Sequence, residues 1–133
     1  MPPVFEPRVS LEQRLREATG FLQDALFDYD QFRIRPDAQA ALQRDAAVLL
    51  EVFDGFPDFV VTVEGHCDER GSAEYNLALG DLRAQRAREF LQQLGVPAAR
   101  LRAISYGKDR PHCTEPVEAC WQENRRAHLS TAR

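Results

Sequence analysis

A chain of 133 residues, 44% hydrophobic and 29% charged, has the size and composition of one soluble domain whose core needs neither metal nor disulfide support. Its net charge of −4 argues against nucleic acid, which calls for a basic face, and it has no run of the roughly 18 apolar residues that reads as a membrane-spanning helix. Of its 17 cationic side chains only Lys108 is a lysine, a bias toward the planar fork that suits carboxylates and that GC-rich coding explains equally well.

The chain opens proline-rich, in MPPVFEPRVSLEQ, without the charged and then apolar regions of a signal peptide. Two readings follow: a cytoplasmic protein, or a fragment of an exported one whose targeting segment is removed. SLEQRLREATG carries a short helical pattern, so residues 1–20 read as an extension or single helix, more peripheral than a domain, ahead of one domain over 21–133. GFLQDALFDYD alternates, with Leu26, Asp28 and Asp30 on one face and Ala25, Phe27 and Tyr29 on the other, and predicts a first strand. The next segment opens with Pro36, which a first helical turn tolerates. Ala38, Leu42, Ala46, Leu49 and Phe53 recur there at helical spacing until Gly55 and Pro57 stop the pattern.

DFVVTVEG is a β-branched run that predicts a central strand. A second helix is predicted over residues 73–94, ended by Gly95 and Pro97, with RLRAISYG as a third strand and RRAHLSTA as a fourth. Between the last two, KDRPHCTEPVEACWQEN reads as a loop with one short helix near Trp121. Strands alternating with two amphipathic helices predict crossover units and a two-layer α/β sandwich, with no internal repeat and no second domain.

Two features carry candidate chemistry. On a helical wheel Leu79, Ala87, Phe90 and Leu94 cluster within about 40° of one direction, and Arg83 lies inside that apolar stripe. A buried charge needs a partner. Arg83 either pairs with an internal carboxylate such as Asp30 or Asp68, or holds its fork at a cleft for a ligand carboxylate. The second feature is EGHCDERGSAEYN, which crowds His66, Cys67, Asp68 and Glu69 together. Four consecutive side chains diverge and do not converge on one ion, so no metal site is expected, even with His112 and Cys113 further on. Cys67 beside His66 is a nucleophile and base only in linear order, and adjacent Asp68 and Glu69 do not flank a glycosidic bond. No catalytic residue and no cofactor are expected.

The blocks FDYDQFRIRPDA, EGHCDERG, YNLALGDLRA, SYGKDRP and NRRA occur in this order over residues of about 24 to 131. Together they resemble the OmpA-like family of cell-wall-binding domains, in its peptidoglycan-associated lipoprotein group. The run EGHCDERGSAEYNLALGDLRA favours that group over a porin tail or a flagellar-stator domain. The resemblance implies two main helices on one side of a four-stranded mixed sheet. It implies non-covalent capture of the diaminopimelate residue of the peptidoglycan stem peptide, and no enzymatic activity. The family's clamp falls on Asp68, for the ligand amine, and Arg83, for its carboxylate. The family's surrounding wall matches Tyr29, Asp30, Arg70, Asn76 and Leu79, and its closing NRR matches Asn124, Arg125 and Arg126. Neighbours on a strand point to opposite faces, so one of Arg125 and Arg126 is structural and the other faces the site. Gly71 permits the turn from this loop into the next helix. On this assignment Arg83→Ala and Asp68→Ala each abolish wall binding and leave the fold largely intact.

The same resemblance implies a periplasmic domain that tethers the outer membrane to the wall within the Tol-Pal system. It further implies the propeller protein TolB as a partner, and a lipid anchor at the N-terminus of the full-length lipoprotein. An oxidising periplasm suits a disulfide between Cys113 and Cys120, which bracket TEPVEA, while a reducing compartment would leave both as thiols. Cys67 is then the free thiol.

Overall fold

The computed structural model describes residues 10–131. The elements run α1 (Leu11–Thr19), β1 (Ala25–Leu26), α2 (Pro36–Gly55), β2 (Val61–His66), α3 (Ala73–Gln93), a 3-10 turn (Ala98–Arg100), β3 (Leu101–Gly107), α4 (Glu118–Asn124) and β4 (Arg126–Ser130). They build a four-stranded sheet in the order β1-β4-β2-β3. β2 and β3 are parallel, joined through α3, whereas β4 lies antiparallel between β1 and β2. This is the mixed α/β sheet expected from the sequence. The proline-rich residues 1–9 and the end of the RRAHLSTA run, at Ala132, lie outside the described residues.

The inward rows of the sheet, Val61 and Val63 of β2, Leu101 of β3 and Ala127 and Leu129 of β4, share one buried cluster with Ala38, Leu42, Ala46, Leu49 and Phe53 of α2 and Ala84, Ala87 and Leu91 of α3. The helical-spacing residues read from the sequence are thus the core face of α2. Leu15 and Thr19 of α1 are buried too, and Leu15 joins the same core. α3 sits unusually close to the sheet. A Cβ on Gly65 of β2 would fall 1.7 Å from the Gly80 carbonyl oxygen, and one on Gly80 would fall 2.3 Å from Ser105 Oγ. Only two facing glycines permit that approach, and it brings the first turns of α3 down onto the loop leaving β2.

The first strand is shorter than its alternation predicts. β1 holds only Ala25 and Leu26, and after Phe27, whose N–H still reaches the Arg125 carbonyl at 2.9 Å, the chain turns. Asp30 adopts φ +57°, a left-handed conformation that an extended run does not contain and that Asp tolerates better than most residues. Tyr29 consequently projects outward, 57% exposed, in place of joining Ala25 and Phe27 inside.

Candidate ligand-binding cleft

Three segments meet at the end of the sheet: the turn after β1, the loop after β2 and the first turns of α3. Ser72 caps α3 by accepting the Tyr75 N–H at 3.1 Å, and Gly71 before it turns the chain with φ +96°. Between these segments lies a cleft lined by Tyr29, Asp30, Cys67, Asp68, Arg70, Gly71, Tyr75, Asn76, Leu79 and Arg83.

Arg83 forms the floor and is fully buried. Its Nε donates to the Gln31 carbonyl at 2.8 Å, Nη1 to the His66 carbonyl at 2.9 Å and Nη2 to the Asp28 carbonyl at 3.1 Å. Among the described residues no carboxylate lies within ion-pair distance of it, so the internal pairing with Asp30 or Asp68 does not occur. Asp30 accepts the Tyr75 hydroxyl, and Asp68 is held by other arginines. Burial pulls the Arg83 pKa down. A guanidinium has five N–H groups; with three on carbonyls, each Nη keeps one more, and the guanidinium also meets the Cys67 thiol.

Asp68 is buried, 4% exposed. Its Oδ1 accepts the Arg70 backbone N–H at 3.0 Å and Arg70 Nε at 3.2 Å, while Oδ2 accepts Arg70 Nη2 at 2.7 Å and Arg125 Nη1 at 3.4 Å. Burial alone would push this carboxyl upward, but the Arg70 and Arg125 hydrogen bonds outweigh it and hold it below the usual carboxylate range. The Arg70 guanidinium lies between the Tyr29 and Trp121 rings, 4.1 Å from each centroid. Tyr75 sits at the rim, and its bond to Asp30 raises its pKa.

Seven of the ten residues expected at the site line this cleft: Tyr29, Asp30, Asp68, Arg70, Asn76, Leu79 and Arg83. Asn76 is committed to scaffolding, its Nδ2 donating to the Arg70 carbonyl at 2.7 Å and the Ser72 carbonyl at 3.1 Å. The other three divide. Arg125 is the site-facing neighbour: it reaches Asp68 and also donates to the Phe27 carbonyl at 2.9 Å and to Glu118 at 2.8 Å. Arg126 points to the opposite side of β4, where it pairs with Asp24 at 3.6 Å, and is not a cleft residue. Asn124 is likewise structural, because its amide is spent on the backbone of His112 and Cys113, at 2.7–2.9 Å.

Sequence reasoning missed Tyr75 and Trp121. Tyr75 precedes Leu79 by one helical turn and Arg83 by two, a spacing that marks it as their neighbour. Nothing local marks Trp121, which only the packing of α4 brings to Arg70. Cys113 and Cys120 are joined in a disulfide, with Cα atoms 5.3 Å apart. Cys67 is buried, donates its thiol to the Asn76 carbonyl at 3.2 Å, and is pushed by burial to a pKa of about 11, which makes it a poor nucleophile. His66 Nε2 lies 2.9 Å from Glu64 and His112 Nε2 lies 3.5 Å from Glu123.

Comparison with known proteins gives a consistent picture. A peptidoglycan-associated lipoprotein of Agrobacterium fabrum is 52% identical over 101 residues, 76% of this chain and 55% of that protein. One of Pseudomonas aeruginosa is 42% identical over 121 residues, 91% of this chain and 67% of that protein. The chain thus spans little more than half the length of the first of these relatives. The crystal structure of the peptidoglycan-associated lipoprotein from Burkholderia pseudomallei superposes with a TM-score of 0.71 at 39% identity, covering 80% of this chain and 87% of that one. The C-terminal domain of Helicobacter pylori MotB shares the fold, with a TM-score of 0.74 at 20% identity and 84% of each chain covered. Residues 26–126 match the model of the OmpA family, and the chain belongs to that family.

Proposed function

We propose that this domain binds peptidoglycan without catalysing any reaction on it, gripping the free amino-acid end of a diaminopimelate residue in the stem peptide. The observation that carries this reading is Arg83. A fully buried guanidinium, with no carboxylate partner among the described residues, lines a cleft with two N–H groups not taken by carbonyls. A ligand carboxylate fits that fork, while Asp68 and Asp30 beside it offer negative charge to the neighbouring ammonium. The groups of the cleft that could attack a substrate are held protonated: the Cys67 thiol by burial, and the Tyr75 hydroxyl by its hydrogen bond to Asp30.

On this reading the longer protein is an outer-membrane lipoprotein whose domain lies in the periplasm and tethers the membrane to the wall, with TolB of the Tol-Pal system as a further partner. The relatives named peptidoglycan-associated lipoprotein support it at 42–52% identity. The alternative, an OmpA-like domain of a porin tail or a flagellar stator, has weaker support, since the MotB likeness at 20% identity speaks for the fold alone.

Isothermal titration with a muropeptide bearing diaminopimelate, beside one bearing lysine at the same position, tests the proposal. Lysine lacks the second carboxylate, so only the first should bind if Arg83 grips that group. Equal affinity for the two, or none for either, would overturn it.

A further inference from the structure

Asp68 is the acid of the proposed clamp, yet its carboxylate is already full. A carboxylate offers about four acceptor positions, and Asp68 fills them with the Arg70 backbone N–H at 3.0 Å, Arg70 Nε at 3.2 Å, Arg70 Nη2 at 2.7 Å and Arg125 Nη1 at 3.4 Å. A ligand ammonium finds no free position until one of these donors leaves.

The two arginines are not equally held. The Arg125 side chain is 4% exposed and is also tied to the Phe27 carbonyl and to Glu118. The Arg70 side chain is 32% exposed, and besides Asp68 it meets the faces of Tyr29 and Trp121, with the Glu118 carboxylate adding to the hold on its charge. Arg125 is therefore the fixed counter-charge at Asp68, in place whatever Arg70 does. Arg70 is the exchangeable one.

We propose that the Arg70 guanidinium occupies the ammonium position of the cleft as a built-in competitor, and that its exchange for a ligand ammonium decides which ligands are accepted. The proposal rests on the reading of the cleft given above and deepens it. A lone ammonium gains at Asp68 about what it costs to remove Arg70, so the exchange yields little. A ligand with a carboxylate next to its ammonium also gains the Arg83 N–H groups not taken by carbonyls, and that surplus drives the exchange. Charge balance favours the same ligand. Asp30, Asp68 and Glu118 face Arg70, Arg83 and Arg125 around the cleft, and a zwitterion leaves that balance unchanged whereas a monocation adds a positive charge. Arg70 thus lowers the affinity of every ammonium alike, and a simple amine, without the surplus at Arg83, is left too weak to displace it. Tyr29 and Trp121 are positioning residues that hold it closed.

Titration of the wild-type domain, Arg70→Ala and Trp121→Leu with the diaminopimelate and lysine muropeptides tests this. The wild type should prefer diaminopimelate. Arg70→Ala should bind both muropeptides about tenfold more tightly than the wild type does, because the cost of displacing Arg70 is common to both ligands, and Trp121→Leu should move both affinities the same way by less. Affinities unchanged in Arg70→Ala, or weakening of both ligands as expected of a mere wall contact, would overturn the exchange while leaving the ligand assignment in place. A wild type that binds neither ligand overturns the ligand assignment and the exchange together. If circular dichroism shows Arg70→Ala unfolded, Trp121→Leu decides by the same gain in affinity for both ligands.

Discussion

Replacing Arg83 by alanine would strip the hydrogen bonds from the carbonyls of Asp28, Gln31 and His66 at once. The His66 bond is fully buried and the other two are partly so; a buried acceptor left bare costs about 1–3 kcal/mol, so Arg83→Ala should destabilise the domain by about that amount. The check is a urea titration, in which a midpoint equal to that of the wild type would contradict the bonding described. Arg83 stitches three segments together as well as flooring the cleft, so a loss of stability is expected where the sequence alone suggested a fold largely intact. Asp68→Ala differs, because Arg125 keeps Glu118 and the Phe27 carbonyl as partners. It is the better variant for separating binding from stability. Arg83 was legible as an intruder in an apolar stripe, but its partners were not, because they are backbone carbonyls 17 to 55 residues away.

α4 is a seven-residue helix whose N-cap, Val117, makes no side-chain capping bond, and so short a helix is not stable by itself. What holds it is tertiary: the disulfide from Cys113 to Cys120, the Asn124 amide on the backbone of the same loop, and Gln122, which donates to the Phe27 carbonyl at 3.0 Å. α4 in turn presents Trp121 to Arg70 and Glu118 to Arg125. By the chain-entropy estimate, opening an eight-residue ring should cost about 2.5 kcal/mol. Reduction should therefore lower the melting temperature and speed amide exchange first in residues 113–125. Uniform exchange across the domain on reduction would show that the disulfide does not support α4 locally. The expected disulfide is present, but its consequence for the cleft depends on where α4 packs, which the spacing of two cysteines does not encode.

Across the whole molecule one buried acid couples stability to pH. Asp45 of α2 is fully buried; Oδ1 accepts the Gln23 N–H at 2.7 Å, and Oδ2 has no partner. Burial raises its pKa from 3.8 to about 7, with nearby Asp24 adding to the rise. Between those two values the folded protein keeps a proton that the unfolded chain has released. The protonated carboxyl thus favours the fold at low pH, and stability falls as pH rises from about 4 to about 7. Asp45→Asn, which keeps the acceptor for Gln23 and removes the charge, should flatten this slope, so that its stability relative to the wild type is greater at pH 8 than at pH 5. Parallel stability–pH curves for the two proteins would contradict it.

The bounds of α2 and α3, the central placement of β2 and the family itself were legible in the linear sequence. Periodicity, a proline in the first helical turn and a glycine after the last are local signals, and they act wherever the chain happens to pack. The length of β1 was misread because LFDYD alternates whether or not it is extended, and the turn at Asp30 is imposed from outside: the carbonyls of Asp28 and Gln31 on either side of it bend inward to reach Arg83. Which of Arg125 and Arg126 serves the cleft, the scaffolding roles of Asn76 and Asn124, and the arrival of Trp121 over Arg70 were likewise decided only by the tertiary structure. Strand pairing and helix docking bring together groups far apart in the chain, and each polar side chain then takes the partners that burial leaves within reach.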